Sequence, residues 1–551
     1  MSYIGQRPVV GRYIKLDQIS SGFNGSSTSF SMTTGSQAVF PGTARNLLLS
    51  LGGVIQEPET DFTISGSTLV FTTAPVANTT FFAVIFGDMQ AVGTPSDGTV
   101  LPVSIATGLD FTFNSITVGK GANSVASNTV LGASALDSSS LSGSNATAIG
   151  DRALTALTSG TNNTAVGAIA GLGITTGISN TIIGSRSGIT LAAGSYNTSL
   201  GVENFLSGTG SYNIAIGVQA LRNLTTGSNN TAVGYRSAFN TSSGGSNTFV
   251  GDTSGYGVST GSNNTGVGVN SVKANGSSNS GLGYQALQNN TGGNNVAVGF
   301  NALTTSTTAV KNTAVGSAAQ TFTTTGSENT SLGYVALFAN TTGINNTAVG
   351  SLALQDNTTG QANVAVGKGA LENNTTGSFN IGIGRETLQT ATTASFNVGL
   401  GNGALKLVTT GSSNVGIGAG AGDSLTTGSE NVAIGSNALD TATTSSRNIA
   451  IGIGSLTATT TANDNTAVGD NTLATNTTGS NNTAVGGSSL DANTTGNNNS
   501  ALGQHSLGAN TTGTNNSALG QLSLYLNTTG SSNVAVGNQA LYANTTASNN
   551  T

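Results

Sequence analysis

Short runs of alternating polar and apolar residues recur along most of this chain. From Gly132 onward the motif Asn-Thr-Ala-Val-Gly, or a close variant, occurs 25 times; its glycines lie 17 residues apart from Gly316 to Gly537 and 15 to 18 apart before that. The alternation predicts a short strand with Thr and Val on one face and Asn and Ala on the other. A fixed period of this kind is typical of repeat architectures.

Each repeat supplies the parts of one coil. The glycine predicts a turn, a leucine four residues later in 17 copies is expected to pack beside the valine, and Thr-Thr-Gly predicts a second turn. We therefore predict an all-β chain dominated by a parallel β-solenoid, or β-roll, of about 25 seventeen-residue repeats, roughly 120 Å long. The predicted turn glycines include Gly316, Gly333, Gly350, Gly367 and Gly384, and the predicted apolar core includes Val315, Val349, Leu354, Val366 and Leu371.

An asparagine stands four residues before the motif glycine in 24 of the 25 copies, with Ala146 as the exception. In stacked coils its amide can bond the backbone at the turn and the same asparagine one coil away. The sequence therefore predicts a structural asparagine ladder. Its members include Asn312, Asn329, Asn346, Asn363, Asn380, Asn397, Asn414, Asn431, Asn448 and Asn465.

Each coil can bury only about two large apolar side chains, while all of its residues lose backbone freedom. We therefore expect several chains side by side, three about one axis, which makes the protein a homotrimer. The small residues two before the motif glycine are expected to offer the surface for this close packing. They include Ala348, Ala365, Gly382, Gly399 and Gly416.

The first hundred residues have a different pattern, and all six prolines lie there. Residues 47–51 and 54–56, separated by Gly52-Gly53, predict a β-hairpin with a tight primed turn. Residues 61–64 and 68–71 predict a second hairpin, and residues 81–86 a further strand. We assign residues 1–92 to a small N-terminal β-sandwich, 93–114 to a connector and 115–551 to the solenoid shaft, which we expect to continue beyond residue 551.

Composition narrows the functional classes. The net charge of −6 offers no basic surface for nucleic acid, and the absence of cysteine excludes disulfides and thiolate metal sites. No apolar run is long enough for membrane insertion, and the N-terminus does not resemble a signal peptide. We expect synthesis in a cytoplasm.

Candidate catalytic groups are few. Asp423 and Asp440 occupy the same repeat position one coil apart, at about the ~5 Å spacing of a retaining glycosidase pair, and Glu372 and Asp356 lie in adjoining coils. Without tryptophan, and with 5% aromatic residues, we interpret these carboxylates as solvated turn residues and predict no enzyme. His505 is the only histidine, so we predict no metal site and no cofactor. The pairs Thr341-Thr342, Thr358-Thr359 and Thr375-Thr376 form a partial threonine array, which leaves ice binding as a minor alternative.

Asn-Thr-Ala-Val-Gly followed by Ala-Leu resembles the head repeats of trimeric autotransporter adhesins, although the period here is longer. Such repeats also resemble those of phage tail fibres. Three N-terminal blocks, residues 13–25, 51–58 and 93–100, resemble the amino-terminal domains of phage tail-fibre and appendage proteins.

The resemblance implies a structural tail fibre or virion appendage. Residues 1–92 would dock on a phage tail or neck protein, and the trimeric shaft would carry a distal region, expected beyond this sequence, to a host-surface receptor. The expected location is the virion, after synthesis in the host cytoplasm. A bacterial cell-surface trimeric adhesin is the first alternative, and a polysaccharide-degrading tailspike enzyme is the second.

Overall fold

The computed structural model describes residues 13–86, 110–205 and 208–551. The chain divides into two compact units, Met1–Ala106 and Thr107–Thr551. The expected domain boundary at residue 92 and the connector up to residue 109 lie outside the described residues. Residues 111–113, which we assigned to the connector, form the first strand of the solenoid sheet. Within the described ranges, no helix is long and apolar enough to cross a membrane.

Residues 13–86 of the N-terminal unit form three antiparallel sheets, with strand orders β1-β9-β5-β6, β2-β8-β7 and β3-β4. Both predicted hairpins are confirmed: β5 pairs with β6 across Gly52-Gly53, and β7 pairs with β8. Short 3-10 helices span Ser20–Gly22 and Ala44–Asn46. The strands are β1 (Ile14–Lys15), β2 (Ser29–Ser31), β3 (Thr33–Thr34), β4 (Gln37–Ala38), β5 (Leu47–Leu51), β6 (Val54–Ile55), β7 (Phe62–Ser65), β8 (Thr68–Phe71) and β9 (Phe81–Ile85).

The two larger sheets enclose one apolar core. Phe23 lies at its centre and makes edge-to-face contacts with Phe30, Phe71 and Phe81 at ring-centroid distances of 5.0 to 6.2 Å. Leu49 on β5 is completely buried against this cluster. Contacts of this geometry add to the burial of the rings themselves, so the aromatic group holds the small sandwich together.

The second unit is the predicted β-solenoid. Its 27-stranded sheet starts with two antiparallel pairings, β10–β11 and β11–β12, and continues with parallel pairing of successive strands to β36. Strand β11 pairs with the edge of β12, the first parallel strand, and so caps this end of the parallel sheet. The 3-10 helix Ala122–Ser124 follows β11. The strands are β10 (Phe111–Phe113), β11 (Ile116–Gly119), β12 (Thr129–Gly132), β13 (Thr147–Ile149), β14 (Thr164–Val166), β15 (Thr181–Ile183), β16 (Thr198–Leu200), β17 (Ile214–Ile216), β18 (Thr231–Val233), β19 (Thr248–Val250), β20 (Thr265–Val267), β21 (Ser280–Leu282), β22 (Val296–Val298), β23 (Thr313–Val315), β24 (Thr330–Leu332), β25 (Thr347–Val349), β26 (Val364–Val366), β27 (Ile381–Ile383), β28 (Val398–Leu400), β29 (Val415–Ile417), β30 (Val432–Ile434), β31 (Ile449–Ile451), β32 (Thr466–Val468), β33 (Thr483–Val485), β34 (Ser500–Leu502), β35 (Ser517–Leu519) and β36 (Val534–Val536).

The glycine that follows each strand turns the chain. Gly350 has φ 135°, and a Cβ there would lie 2.6 Å from the carbonyl carbon of Gly367 in the next coil. A side chain would therefore break the stacking as well as strain the backbone. The predicted turn glycines Gly316, Gly333, Gly350, Gly367 and Gly384 all have φ between 129° and 147°.

Buried asparagines connect each coil to its neighbours on both sides. The backbone N–H of Asn346 donates to Oδ1 of Asn329 at 2.9 Å, and its Nδ2 donates to the carbonyl of Gly360 at 2.9 Å. All ten predicted ladder residues, from Asn312 to Asn465, make both kinds of bond. Their polar atoms are therefore satisfied although the side chains are buried.

The predicted core is only partly correct. Leu354 and Leu371 are fully buried, but Val315, Val349 and Val366 lie on the outer face of their strands and are only half-buried. Side chains alternate along a strand, so an inward asparagine forces the alanine two residues later inward and the valine outward. The leucine therefore packs against alanine and not, as we expected, beside valine.

The small residues at that inner position also do not form an outer packing surface. Ala348, Ala365, Gly382, Gly399 and Gly416 are all buried inside their own coils. A Cβ on Gly416 would lie 2.7 Å from Cγ of Leu405, which shows how little room the interior leaves opposite the leucine. The expectation that these residues pack against sister chains is therefore wrong.

One coil interrupts the apolar interior. The buried residues form one cluster up to Ala319 and another from Ala336 onward. Between them Gln320 occupies the leucine position; it is fully buried, and its Nε2 donates to Oγ of Ser331 at 2.9 Å. Its Oε1 has no hydrogen-bond partner, and neither has Oγ1 of the buried Thr323. We call this coil the polar seam.

Candidate interaction surface

The outer face of the solenoid sheet is a regular surface that carries apolar side chains on every strand from β12 to β36. Each strand points its first and third residues away from the coil interior, as Val398 and Leu400 do on β28. We call this surface the outer sheet face. Leu400 is 44% exposed and Ile383 on the preceding strand is 39% exposed. Thr, Val, Ile and Leu fill most of these positions from β12 to β36.

The outer sheet face is long, and one of its two columns of side chains is apolar throughout. Strands about 4.8 Å apart and outer residues about 7 Å apart along each strand give the whole face an area on the order of 800 Å². The first outer residue is Thr or Ser on 16 of the 25 strands, whereas the second is Val, Ile or Leu on all of them. The largest apolar patch of a typical monomer is about 300–600 Å² and is often functional. The face also repeats with the period of the coils, so it can accept a partner with the same period.

A shallow groove interrupts the outer sheet face near its C-terminal end. It has a volume of about 480 Å³ and lies where Ser500 and Ser517 replace the larger residues of other strands. Leu502, Leu519 and Val536 line it. The alanines beneath are slightly exposed there, 2% at Ala501 against 0% at Ala467, so the groove results from the smaller serine side chains.

Charged residues gather on a different side of the coils. We call the positions one, two and five residues after each motif glycine the charged edge. Glu203 pairs with Arg186 at 3.5 Å and with Arg222 at 3.7 Å, each time between neighbouring coils. Glu386 accepts from its sequence neighbour Arg385 at 2.7 Å and from Lys406 of the next coil at 2.9 Å. These residues differ from coil to coil, so the charged edge offers no repeating contact.

Exposed aromatic rings stack between adjacent coils. Phe379 and Phe396 lie nearly parallel with centroids 5.1 Å apart, and Tyr196 and Tyr212 do so at 4.8 Å. Parallel stacking along the coil axis turns the ring faces toward each other. Such rings stabilise neighbouring coils, and each ring has one face covered by its partner.

The candidate catalytic pair Asp423 and Asp440 lies on the charged edge. Burial, and then the negative charge of Asp440, raise the pKa of Asp423, and Lys406 partly opposes this. Burial also raises the pKa of Asp440. The Oδ1 atom of Asp423 has no hydrogen-bond partner. Both carboxyls therefore hold protons more strongly than solvated ones, which favours acid–base chemistry only if a substrate groove exists beside them.

The other candidates have hydrogen-bond or ring contacts with nearby side chains. Glu372 accepts a hydrogen bond from Nε2 of Gln389 at 2.7 Å, and Asp356 accepts one from Gln355 at 3.3 Å. His505 is half-exposed and makes an edge contact with Tyr525. Among the described residues, no three His, Cys, Asp or Glu side chains lie together as metal ligands would.

A second asparagine ladder escaped the sequence analysis. Nδ2 of Asn357 donates to Oδ1 of Asn340 at 2.9 Å and to the carbonyl of Gly360 at 3.0 Å, and the same pattern recurs from Asn476 onward. These asparagines precede Thr-Thr-Gly, the predicted second turn, and we assigned them no role from the sequence. Several other coils carry Leu or Val at this position, such as Val408, which was the available signal of an inward side chain.

Comparisons with protein-family models, with curated proteins and with solved structures found no match to this chain. Its repeat geometry and its surfaces are therefore the basis for the functional proposal.

Proposed function

We propose that this protein is a structural fibre: a phage tail fibre or related virion appendage whose solenoid forms a rigid homotrimeric shaft. The observation that carries the proposal is the outer sheet face, an apolar strip that extends over all 25 strands from β12 to β36. A second copy aligned in register has the same period at every coil, which few other partners have. Association would remove this strip from water.

A shaft of this kind suits distance and rigidity. Successive coils are joined by a parallel ladder and, except after Ala146, by buried asparagines, so the rod resists bending. In the proposed fibre the shaft holds a host-attachment region at a fixed reach, and three copies make weak receptor contacts effective through avidity. Nothing in this role requires a catalytic group or a cofactor.

The N-terminal unit is proposed to dock on the virion. Its edge strand β6 carries Val54 and Ile55, both about two-thirds exposed. An exposed apolar edge strand has unpaired backbone groups and is a ready template for pairing with another chain. Together with the resemblance of residues 1–92 to tail-fibre attachment domains, this edge supports a tail or neck protein as partner.

Association can be tested on the full chain. Native mass spectrometry of the wild type is expected to give three times the 54.0 kDa mass of one chain. The double variant Ile383→Glu/Ile417→Glu places charges on the outer sheet face and is expected to dissociate the trimer. The control Asn402→Glu lies on the charged edge and should leave the trimer intact; a monomeric wild type would contradict the proposal.

The location can be tested on particles. Antibodies against the solenoid are expected to label fibres on virions in electron micrographs of an infected culture. Labelling of bacterial cell surfaces without particles would instead support the adhesin. Depolymerisation of purified capsular polysaccharide, abolished by Asp423→Asn, would support the tailspike enzyme.

A further inference from the structure

One exposed threonine recurs in fifteen consecutive coils. It is the second residue of the Thr-Thr pair, nine residues after the motif glycine, and we call this column the threonine edge. Its members are all exposed: Thr308, Thr325, Thr342, Thr359, Thr376, Thr393, Thr410, Thr427, Thr444, Thr461, Thr478, Thr495, Thr512, Thr529 and Thr546.

The other invariant side chains of these coils make hydrogen bonds that join neighbouring coils. The side chains of the threonine edge make no such bonds. The first threonine of each pair donates its hydroxyl to the next coil, as Thr341 does to the carbonyl of Thr358 at 3.0 Å. The ladder asparagines are buried and bonded on both sides. Within the described part of the chain, no hydroxyl of the threonine edge makes a hydrogen bond, and Thr342 is an example.

Coil geometry does not require threonine at this position. The N–H groups of Thr341, Thr342 and Gly343 all donate to the carbonyl of Thr358, at 2.9, 3.1 and 3.4 Å. An earlier coil has Ser242-Ser243 in place of the Thr-Thr pair. There the N–H groups of Ser242, Ser243 and Gly244 donate to the carbonyl of Ser259, at 2.9, 3.3 and 3.2 Å. Serine therefore closes the same turn, and the backbone does not explain fifteen identical threonines.

Exposure alone does not explain the identity either. The charged edge is also exposed at its first position, which carries Arg385, Asn402, Ala419 and Ser436 in four successive coils. The repeats have therefore diverged freely at one exposed column while the threonine edge stayed constant. An unvarying surface column is expected where every coil meets the same partner surface.

The chemistry of the threonine edge limits that partner. From the Thr-Thr pair to two residues beyond it, none of the fifteen coils carries a charged or aromatic side chain. The edge thus presents one methyl and one unbonded hydroxyl per coil, at the coil spacing. A methyl packs well against valine, leucine or isoleucine, and the hydroxyl can reach the threonines of a neighbouring strand face.

A second copy of the chain, aligned alongside, repeats with the same coil spacing and presents a face of valine, isoleucine, leucine and threonine. Three chains around one axis are joined by heterologous contacts, in which each chain contributes two different surfaces. The outer sheet face is one of them, and the charged edge is too variable to be the other. We infer that the threonine edge of one chain packs against the outer sheet face of a second copy, an inference that rests on the proposed trimer.

Cysteine cross-linking of the full chain tests this contact, because the chain has no cysteine of its own. Thr427→Cys lies on the threonine edge and Val432→Cys on the outer sheet face of the same coil. Under mild oxidation this double variant is expected to give a covalent trimer on non-reducing gels. The pair Thr410→Cys/Val415→Cys, one coil earlier, should do the same if the first variant folds poorly. The control Asn437→Cys/Val432→Cys, with its first cysteine on the charged edge, should not.

Labelling separates this inference from the trimer proposal. In the native trimer, the thiol of Thr427→Cys alone should react with maleimide at least ten times more slowly than that of Asn437→Cys. Equal labelling in a trimeric protein, without the covalent trimer, would overturn the inference and leave the trimer standing; the edge would then be free for an external ligand such as ice. A monomeric wild type would remove both.

Discussion

In 17 of the 25 repeats, one leucine fills most of the coil interior. Leu371 is fully buried and adopts φ 52°, a left-handed conformation that only a tight surrounding structure maintains in a non-glycine residue. This backbone directs the side chain inward, against the alanines of the strands. The interior therefore depends on one large side chain at one strained position.

Truncating that leucine tests its contribution. Leu371→Ala is expected to lower the free energy of unfolding by about 2–5 kcal/mol, through lost burial and the cavity that remains. Urea unfolding followed by circular dichroism would measure it. Lys368→Ala, on the exposed side of the same coil, should change stability by less than about 0.5 kcal/mol. Equal losses in both variants would show that the leucine is not the core residue.

A half-buried carboxyl makes stability depend on pH. The raised pKa of Asp423 means that the folded chain binds its proton more tightly than the unfolded chain. The stability linked to that proton is complete at low pH and is lost as the pH rises from the ordinary value of 3.8 through the raised one. Asp423→Asn is therefore expected to raise the urea midpoint at pH 7 and to leave it unchanged at pH 3.

Asp464 provides the opposite control. A hydrogen bond from Arg447 lowers its pKa, so its contribution is present at neutral pH and is lost as the pH falls through that lowered value. Asp464→Asn should therefore lower the urea midpoint at pH 7. If both asparagine variants shifted the midpoint in the same direction, the assigned causes would be wrong.

Our prediction of which strand face points into the coil was wrong. Val366 is more apolar than Asn363, so hydrophobicity alone puts valine inside. The structure does the reverse because the asparagine amide can bond the carbonyl of Gly377 and the preceding Asn346 only from inside the coil. The period, the strands and the ladder follow from spacing, whereas the choice of face depends on hydrogen bonds that spacing does not reveal.

At the scale of the element, the asparagine ladder joins strand to strand. Its only gap is Ala146, whose N–H donates to Oδ1 of Asn128 at 2.9 Å but whose side chain offers nothing to the following coil. The N–H of Asn163 therefore lacks the side-chain acceptor that its equivalents have. The gap shows that one rung can be lost without loss of register.

Filling the gap is expected to stabilise the solenoid. Ala146→Asn supplies an acceptor for the N–H of Asn163 and a donor for the carbonyl of Gly160, with a gain of about 0.5–1.5 kcal/mol for each net bond. The reverse change, Asn363→Ala, leaves buried groups without partners and should cost about 1–3 kcal/mol or more. Thermal unfolding compares both; a destabilised Ala146→Asn would mean that this coil lacks space for the amide.

At the scale of the whole molecule, the solenoid behaves as a stack of equivalent units. Each coil contacts only its neighbours, so removing a complete coil should leave a folded, shorter rod. Deletion of residues 401–417 joins Leu400 to Gly418 and preserves every ladder. We expect native circular dichroism and a rod about 4.8 Å shorter in electron micrographs.

A partial deletion is the matched comparison. Removing residues 401–408 would place the Thr-Thr turn beneath a strand and break both the parallel ladder and the asparagine ladder. We expect this variant to aggregate or unfold. If both deletions were tolerated equally, the chain would not rely on coil-to-coil register.

The polar seam at Gln320 has a mechanical consequence. A filament that is attached at one end and binds a surface at the other is under tension. It unfolds first where neighbouring coils interact most weakly. In the polar seam, a glutamine–serine pair replaces the apolar interior, and the side-chain oxygen of Gln320 has no hydrogen-bond partner. When the solenoid is stretched in an optical trap, we expect it to unfold in two steps. The double variant Gln320→Leu/Ser331→Ala should merge them into a single unfolding step at higher force.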